Sequence, residues 1–322
     1  MIKKILVFFI LTANMSFGQS KICDYCKQKI TDEYLIVEDK YFHPGHFICD
    51  KCKKQIEGEY VKNENKFYHP DCYKESYVPK CDVCGHALEG EYFQDLYGNK
   101  YHARHLKESK RCDNCDRLIS DKITGGGYNL SDGRSICKIC YDDAVPSNSV
   151  YDYLLVKVIN DLRGLGINVP KDKIKIRAVD RTGLKAAAKS EYNDNMRGYC
   201  KIENVETTFG RETKRKFSAV IYTLNKVPQD YAEATIAHEL MHIWIDQNTK
   251  IKHTPILEEG SCHFISYKYL STKNFKYKKD IIQSLFNDPT PIYGDGFRKV
   301  YERFKTKHIV ELLNYLKSNS KI

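Results

Sequence analysis

Apolar positions follow three different rhythms along this chain. Residues 5–11 form an unbroken apolar run behind Lys3 and Lys4, with Ser16 and Gly18 as small residues ahead of Gln19. The run is too short to span a bilayer, and its order predicts a signal peptide over residues 1–18. Residues 20–141 hold no period for long. After 150 helical spacing sets in, and Tyr153, Leu154, Val158, Ile159 and Leu162 mark a helix stopped at Gly164-Leu165-Gly166. Residues 173–179 and 217–224 alternate as strands do. The next helix opens on Asp230 with Glu233 three residues on, a capping-box pattern, and Ile236, Leu240, Ile243 and Trp244 line one of its sides. A further helix starts with Thr254 as cap and Pro255 in the first turn. These elements predict an α+β multidomain chain: a leader at 1–18, cysteine-rich modules at 20–77 and 78–143, a linker at 144–150 and a larger domain at 151–322. No later segment is long and apolar enough to be transmembrane.

Composition supports folded domains. The 322 residues are 42% hydrophobic, with 24 Tyr and 14 Phe to fill a core. The net charge of +10 is scattered rather than gathered into a stripe with interleaved aromatics. A solvated basic surface is the reading, and neither nucleic acid nor membrane is an expected partner. The leader predicts export, to the periplasm or the outside of the cell.

Cysteine spacing changes the picture of the first half. Eleven of the thirteen cysteines lie between Cys23 and Cys140, and ten of them form CxxC pairs. With His43, His46, His69, His102 and His105 they make sixteen donors, enough for four tetrahedral sites with none left over, whereas disulfides would leave one cysteine unpaired. The order along the chain assigns Cys23, Cys26, His43 and His46 to one zinc, and Cys49, Cys52, His69 and Cys72 to the next. Cys81, Cys84, His102 and His105 make the third set, and Cys112, Cys115, Cys137 and Cys140 the fourth. Closed four-donor sites are structural. Modules of about sixty residues rarely bury enough apolar area to fold unaided, so the metal supplies the difference. Cys200 and Cys262 fall outside the count; they read as buried small residues, with a disulfide between them open in an exported protein.

The second half carries the chemistry. His238-Glu239-Leu240-Met241-His242 is an HExxH sequence inside the predicted helix. Four residues advance a helix by about one turn, so both imidazoles leave one face and can share a zinc ion, with Glu239 beside them as a base for water. A catalytic zinc needs a third protein donor and an open position. Glu258 and Glu259, in the first turn of the following helix, are the candidates. Tyr293 and Arg298 are candidates for steadying the developing oxyanion, with His263 and Tyr267 behind them. The strand at 217–224 is an expected edge for an extended peptide.

Two resemblances follow. His43-Pro44-Gly45-His46-Phe47-Ile48-Cys49 resembles the join between the two fingers of a LIM domain, with His46 where that family more often has cysteine. The second copy leaves six residues between His105 and Cys112, where the family has two. A Glu donor on the helix after HExxH, directly before a small residue, is similar to the gluzincin arrangement and favours Glu259. LIM modules followed by the HExxH block, then Glu258-Glu259-Gly260-Ser261-Cys262 and Tyr293-Gly294-Asp295-Gly296-Phe297-Arg298, resemble the plant LIM-containing peptidases, ubiquitin-activated regulators of organ growth. The resemblance implies a bacterial-type exported zinc metallopeptidase. It implies one catalytic and about four structural zinc ions, Glu239 as base, a peptide or protein substrate, and LIM surfaces that bind a protein partner. Activation by ubiquitin is not carried over. The alternative reading is a LIM-type binding adaptor with a vestigial peptidase fold.

Overall fold

In a computed structural model the chain divides into two compact units, Met1–Ala103 and Arg104–Ile322. The structure describes residues 20–209 and 212–322, so the expected leader lies outside the described residues. Among these, no helix is long and apolar enough to cross a membrane.

The first unit is built from two-stranded hairpins. Leu35–Val37 pairs with Lys40–Phe42 and Val61–Asn63 with Lys66–Tyr68, all antiparallel, and the helix Pro70–Tyr77 follows. Their small apolar core gathers Ile30, Tyr34, Val37, Phe42, Phe47, Ile56, Tyr60 and Phe67 around the buried thiols of Cys23 and Cys49. Phe42, Phe47, Tyr60 and Phe67 meet mostly edge to face, with centroids 5.1 to 6.1 Å apart, the arrangement that aromatic quadrupoles favour. A third hairpin joins Phe93–Gln94 to Lys100–Tyr101.

The second unit contains the fourth cysteine set as well as the larger domain. A hairpin of Gly127–Asn129 with Ser135–Cys137 and the short helix Lys138–Asp142 form its cysteine-rich part. Then come α1 (Asn148–Gly164), β1 (Ile174–Val179), α2 (Arg181–Ala188), β2 (Gly198–Phe209), β3 (Glu212–Leu224), α3 (Gln229–Asn248), α4 (Pro255–Ser271), α5 (Lys278–Asn287), α6 (Gly294–Phe304) and α7 (Ile309–Ser318). The sheet runs β2-β3-β1, with β2 antiparallel and β1 parallel to the central β3. Alternation explains the strands: Ile174 and Ile176 on β1, and Ala219 and Ile221 on β3, are buried between more exposed neighbours. Helices α1 and α3 pack on this sheet, and α4 packs on α3 and α6. The pair α4 and α6 cross so closely at Gly260 and Gly296 that a Cβ on Gly260 would lie 2.3 Å from the Gly296 carbonyl oxygen.

The division falls at Ala103 and Arg104, inside the expected module over 78–143, and puts the fourth cysteine set in the unit of the larger domain. Two expectations need correction. The expected linker 144–150 is pinned: Ala144 bridges Pro228, the Val145 N–H donates to the Val227 carbonyl at 2.9 Å, and α1 begins within it. The capping box is absent, since α3 starts at Gln229 after Pro228 without a side-chain cap. Asp230 instead accepts from the Tyr277 N–H at 2.8 Å, and Glu233 is buried against Lys157 and Tyr269. The cap at Thr254 does form, accepting from the Leu257 N–H.

The bolt between the cysteine-rich part and the sheet is Arg134, only 1% exposed. Its Nε donates to Asp132 at 2.8 Å, and its two terminal nitrogens donate to the carbonyl and side-chain oxygens of Asn225, at 2.8 and 2.7 Å, just beyond β3. Asp132 also accepts from the Arg181 N–H at the start of α2. Arg134→Ala leaves this carboxylate buried without its main cation and is expected to destabilise the unit by about 3–5 kcal/mol. Trp244, the single tryptophan and buried in α3, reports this unit's denaturant-induced unfolding by its fluorescence. An unchanged midpoint would remove the bolt from the argument.

Candidate functional site

The cysteine and histidine sets come first because their geometry is simplest. Tetrahedral zinc at the usual bond lengths holds a thiolate and an imidazole nitrogen about 3.5 Å apart, two thiolates about 3.8 Å apart, and two nitrogen or oxygen donors about 3.3 Å apart. Cys23 and Cys26 lie 3.6 and 3.4 Å from the Nδ1 atoms of His46 and His43, respectively. Cys52 and Cys72 lie 3.3 and 3.9 Å from Nδ1 of His69, with Cys49 in the same group. In the third set Cys84 is 3.6 Å from Nδ1 of His102, and His105 begins a short helix of the second unit. The fourth set gathers four buried thiols, Cys112, Cys115, Cys137 and Cys140, with 3.8 Å between the sulfurs of Cys115 and Cys137. His69 and His102 turn their Nε2 atoms to the carbonyls of Gln55 and Ala87, at 3.0 and 3.1 Å, which leaves Nδ1 free of a proton for metal.

The HExxH helix presents a different donor set. His238 and His242 meet through their Nε2 atoms at 3.3 Å, as one turn of α3 dictates. The Oε2 atom of Glu259, from the first turns of α4, lies 3.2 Å from Nε2 of His238 and 3.6 Å from Nε2 of His242. These three edges match the separation expected around one tetrahedral zinc. Glu259 Oε2 is buried and makes no hydrogen bond of its own, as a metal-facing oxygen should be. Burial works against its charge, yet His238 and His242 hold it well below the usual carboxylate range. Glu258 stands elsewhere: its Oε1 is 3.2 Å from Nδ1 of His242, on the far side of that ring. It therefore orients the imidazole and fixes its tautomer.

Glu239 is 5% exposed, and burial pushes it above the usual carboxylate range while the two imidazoles and the nearby Cys200 backbone oppose the shift. The start of β2 is what encloses it. A Cβ on Gly198 would lie 2.4 Å from Cγ2 of Thr235 and 2.7 Å from Oε1 of Glu239, so no larger residue fits here without displacement.

Of the four oxyanion candidates, the structure brings two to the site. The His263 ring lies 4.5 Å from that of His238, and burial takes its pKa down to about 3, so it is neutral at pH 7. The Tyr293 ring lies 5.9 Å from His263; its hydroxyl accepts from the Asn193 side chain at 3.4 Å, and burial keeps the phenol protonated. Arg298 is engaged elsewhere, donating to the carbonyls of Phe286 and Asp288 at 2.7 and 2.8 Å. Tyr267 packs among Phe286, Phe297 and Tyr301. The strand at 217–224 is also corrected as a peptide edge, because β3 has partners on both sides; the strand beside Glu239 with a free edge is β2.

Cys262 was not expected here. Its buried sulfur lies within 4.8 Å of a nitrogen on both His238 and His242, and burial raises its thiol to about 12. Its position one turn after Glu258 and Glu259 was the available signal. Cys200 and Cys262 are both free thiols.

Comparison with known proteins fits this division of labour. The LIM domain family model matches residues 23–77, and the model described as Protein DA1 matches residues 195–284, which contain Gly198, the HExxH helix and Glu259. The chain carries a LIM domain and a DA1-like domain. It is 25% identical to Protein DA1 of Arabidopsis thaliana over 287 residues, covering 70% of this chain and 53% of that protein. Protein DA1-related 2 of the same plant is 27% identical over 348 residues, covering 87% and 65%. The LIM domain-containing protein HDR3 of Oryza sativa subsp. japonica is 25% identical over 367 residues, covering 92% and 73%. The chain thus spans less than two thirds of the first two relatives.

Elemental analysis separates the two carboxylates. The full chain is expected to hold about five zinc ions, four in closed sets and one at HExxH. Glu259→Ala is expected to lose one of them, as His238→Ala does. Glu258→Ala keeps the full number with zinc affinity lowered by about 10- to 100-fold. A Glu258→Ala chain that loses the ion outright, beside a Glu259→Ala chain that keeps it, would exchange their roles.

Proposed function

We propose that the second unit is a zinc-dependent peptidase that hydrolyses peptide bonds with Glu239 as general base. The observation that carries this reading is the triangle of His238 Nε2, His242 Nε2 and Glu259 Oε2, with edges of 3.2 to 3.6 Å, beside a buried carboxylate. Three protein donors leave a fourth position open, which separates this set from the closed ones. A zinc ion held by His238, His242 and Glu259 would supply Lewis-acid chemistry, polarising the scissile carbonyl and lowering the pKa of the attacking water toward about 7.

The protein's own groups do the rest. Glu239 accepts the water proton and returns it to the leaving amine nitrogen, and its raised proton affinity suits both transfers. Tyr293, as a protonated phenol, and neutral His263 are the donors for the carbonyl oxygen as it gains charge. The free edge of β2 offers N–H and C=O groups to an extended peptide, which favours unfolded segments as substrates. The LIM domain supplies a surface for a protein partner, as LIM domains generally do.

Glu239→Gln is the decisive variant because it keeps size and polarity while removing the base. It is expected to retain all zinc and to cleave peptides about 10²- to 10⁴-fold more slowly than the unaltered chain. Undiminished cleavage by this variant would refute the assigned base. A zinc-loaded unaltered chain that cleaves nothing in an unbiased peptide library would favour the adaptor reading instead.

A further inference from the structure

The fourth cysteine set lies in the same unit as the HExxH site, and one side chain connects them. Arg197 directs Nη2 at the carbonyls of Asp113 and Asn114, 3.1 and 3.0 Å away. These are the two residues between Cys112 and Cys115, so Arg197 reads the loop whose shape the metal sets. Its guanidinium also lies over the Tyr231 ring of α3, 4.8 Å from the centroid, a cation–π contact. Its own carbonyl accepts from the Leu224 N–H at the end of β3. The next residue is Gly198, seated against Thr235 and Glu239.

Other bonds hold the loop itself. The Asn114 side chain donates to the Lys226 carbonyl at 3.0 Å, and Arg181 donates to Asp113 at 2.9 Å. With Arg134 on Asn225, the thiol cluster is fastened to the start of α2, to the turn after β3 and to the start of β2. A surface kept for a partner would not be occupied in this way.

We infer that Arg197 is a positioning residue through which the four-thiol zinc knuckle seats the start of β2 against Glu239, making the knuckle part of the catalytic apparatus. This rests on the peptidase reading, because Glu239 is given its role there. The arrangement over-determines a short stretch of backbone: β3 holds residue 197 from one side, the knuckle from another, and α3 leaves no room for a side chain at 198. Misplacing a catalytic group by about 1 Å costs on the order of 100-fold in rate.

The test uses the full zinc-loaded chain and its Arg197→Ala and Arg197→Lys variants. Three quantities are read: zinc per chain, hydrogen exchange of the peptide spanning 197–202, and kcat with KM on a peptide cleaved by the unaltered chain. Arg197→Ala is expected to keep all zinc, to exchange residues 198–202 about tenfold faster or more, and to lose about 10- to 100-fold in kcat with KM little changed. Arg197→Lys, able to reach one of the two carbonyls, is expected to recover part of both losses. Unchanged exchange and kcat in Arg197→Ala would overturn the inference. So would equal losses in both variants accompanied by departure of zinc, which describe general unfolding. Should Arg197→Ala fail to fold, Arg197→Lys decides alone: local exchange and kcat must both change at full zinc content. If the unaltered chain cleaves no peptide, the peptidase reading fails, and the exchange measurement still decides whether the knuckle holds β2.

Discussion

Helix α3 is buried on nearly every side, and the second unit is shaped by the need to give its polar groups partners. An isolated buried carboxylate is costly, so each one on this helix dictates what must stand beside it. Glu233 brings in Lys157 from α1, Gln229 from its own helix and Tyr269 from α4. Asp230 takes the Tyr277 N–H just before α5. Tyr231 places its hydroxyl on Asp280 of α5. His242 requires Glu258, and Glu239 is closed in by Gly198 of β2. The neighbours of α3 are thus selected by side chains that point out of an HExxH helix in all directions, and the apolar residues fill what remains.

Close approach is the second condition. For Glu259 to reach the two imidazoles, α4 must lie tightly against α3, and Gly260 lets α6 press on α4 from behind. Gly198 performs the matching service on the other flank, where the start of β2 comes to van der Waals distance of Thr235 and Glu239. The enclosed carboxylates are the result: one is kept charged by two imidazoles, the other pushed toward its neutral form by burial. Two carboxylates of opposite tendency within one site suit the proton transfer proposed for it.

Much of this was legible in the residues. Local signals were strong wherever chemistry fixes spacing, as in the CxxC pairs, the HExxH turn and the Thr254-Pro255 cap. Helices α1 and α3 and the alternation of β1 and β3 were likewise visible, but Tyr153, counted in the α1 pattern, is exposed, and Tyr151 and Leu155 are buried in its place. What failed were inferences from a residue's type without its surroundings. Asp230 and Glu233 have capping-box spacing, but burial gave each a tertiary partner. Arg298 has the charge for an oxyanion, yet two carbonyls near the end of α5 hold it. The role of β2 was illegible because its residues, Gly-Tyr-Cys-Lys-Ile-Glu-Asn-Val, alternate weakly, and its place at the edge depends on long-range pairing with β3. The membership of the fourth cysteine set was hidden too, since Arg134 and Arg197 act across distances in sequence that no spacing rule reaches.

The histidines of the donor sets are not all held alike. In the hairpin modules His69 and His102 bind through Nδ1 and rest Nε2 on a backbone carbonyl, an uncharged acceptor that fixes the ring and little else. At HExxH the nitrogens reverse, with Nε2 toward the metal position and Nδ1 of His242 on the carboxylate of Glu258. A charged acceptor makes the imidazole a stronger donor and ties it to a second titratable group. Two or more thiolates suffice to neutralise zinc in a closed set. With one carboxylate and two imidazoles an ion held there would keep positive charge and an open position, the condition for acting on water. In the proposed reading the same residue types serve two ends in one chain, and the difference lies in charge count rather than in the ring nitrogen alone, because His105 of the third set also turns Nδ1 to a carboxylate, that of Glu108 at 3.1 Å.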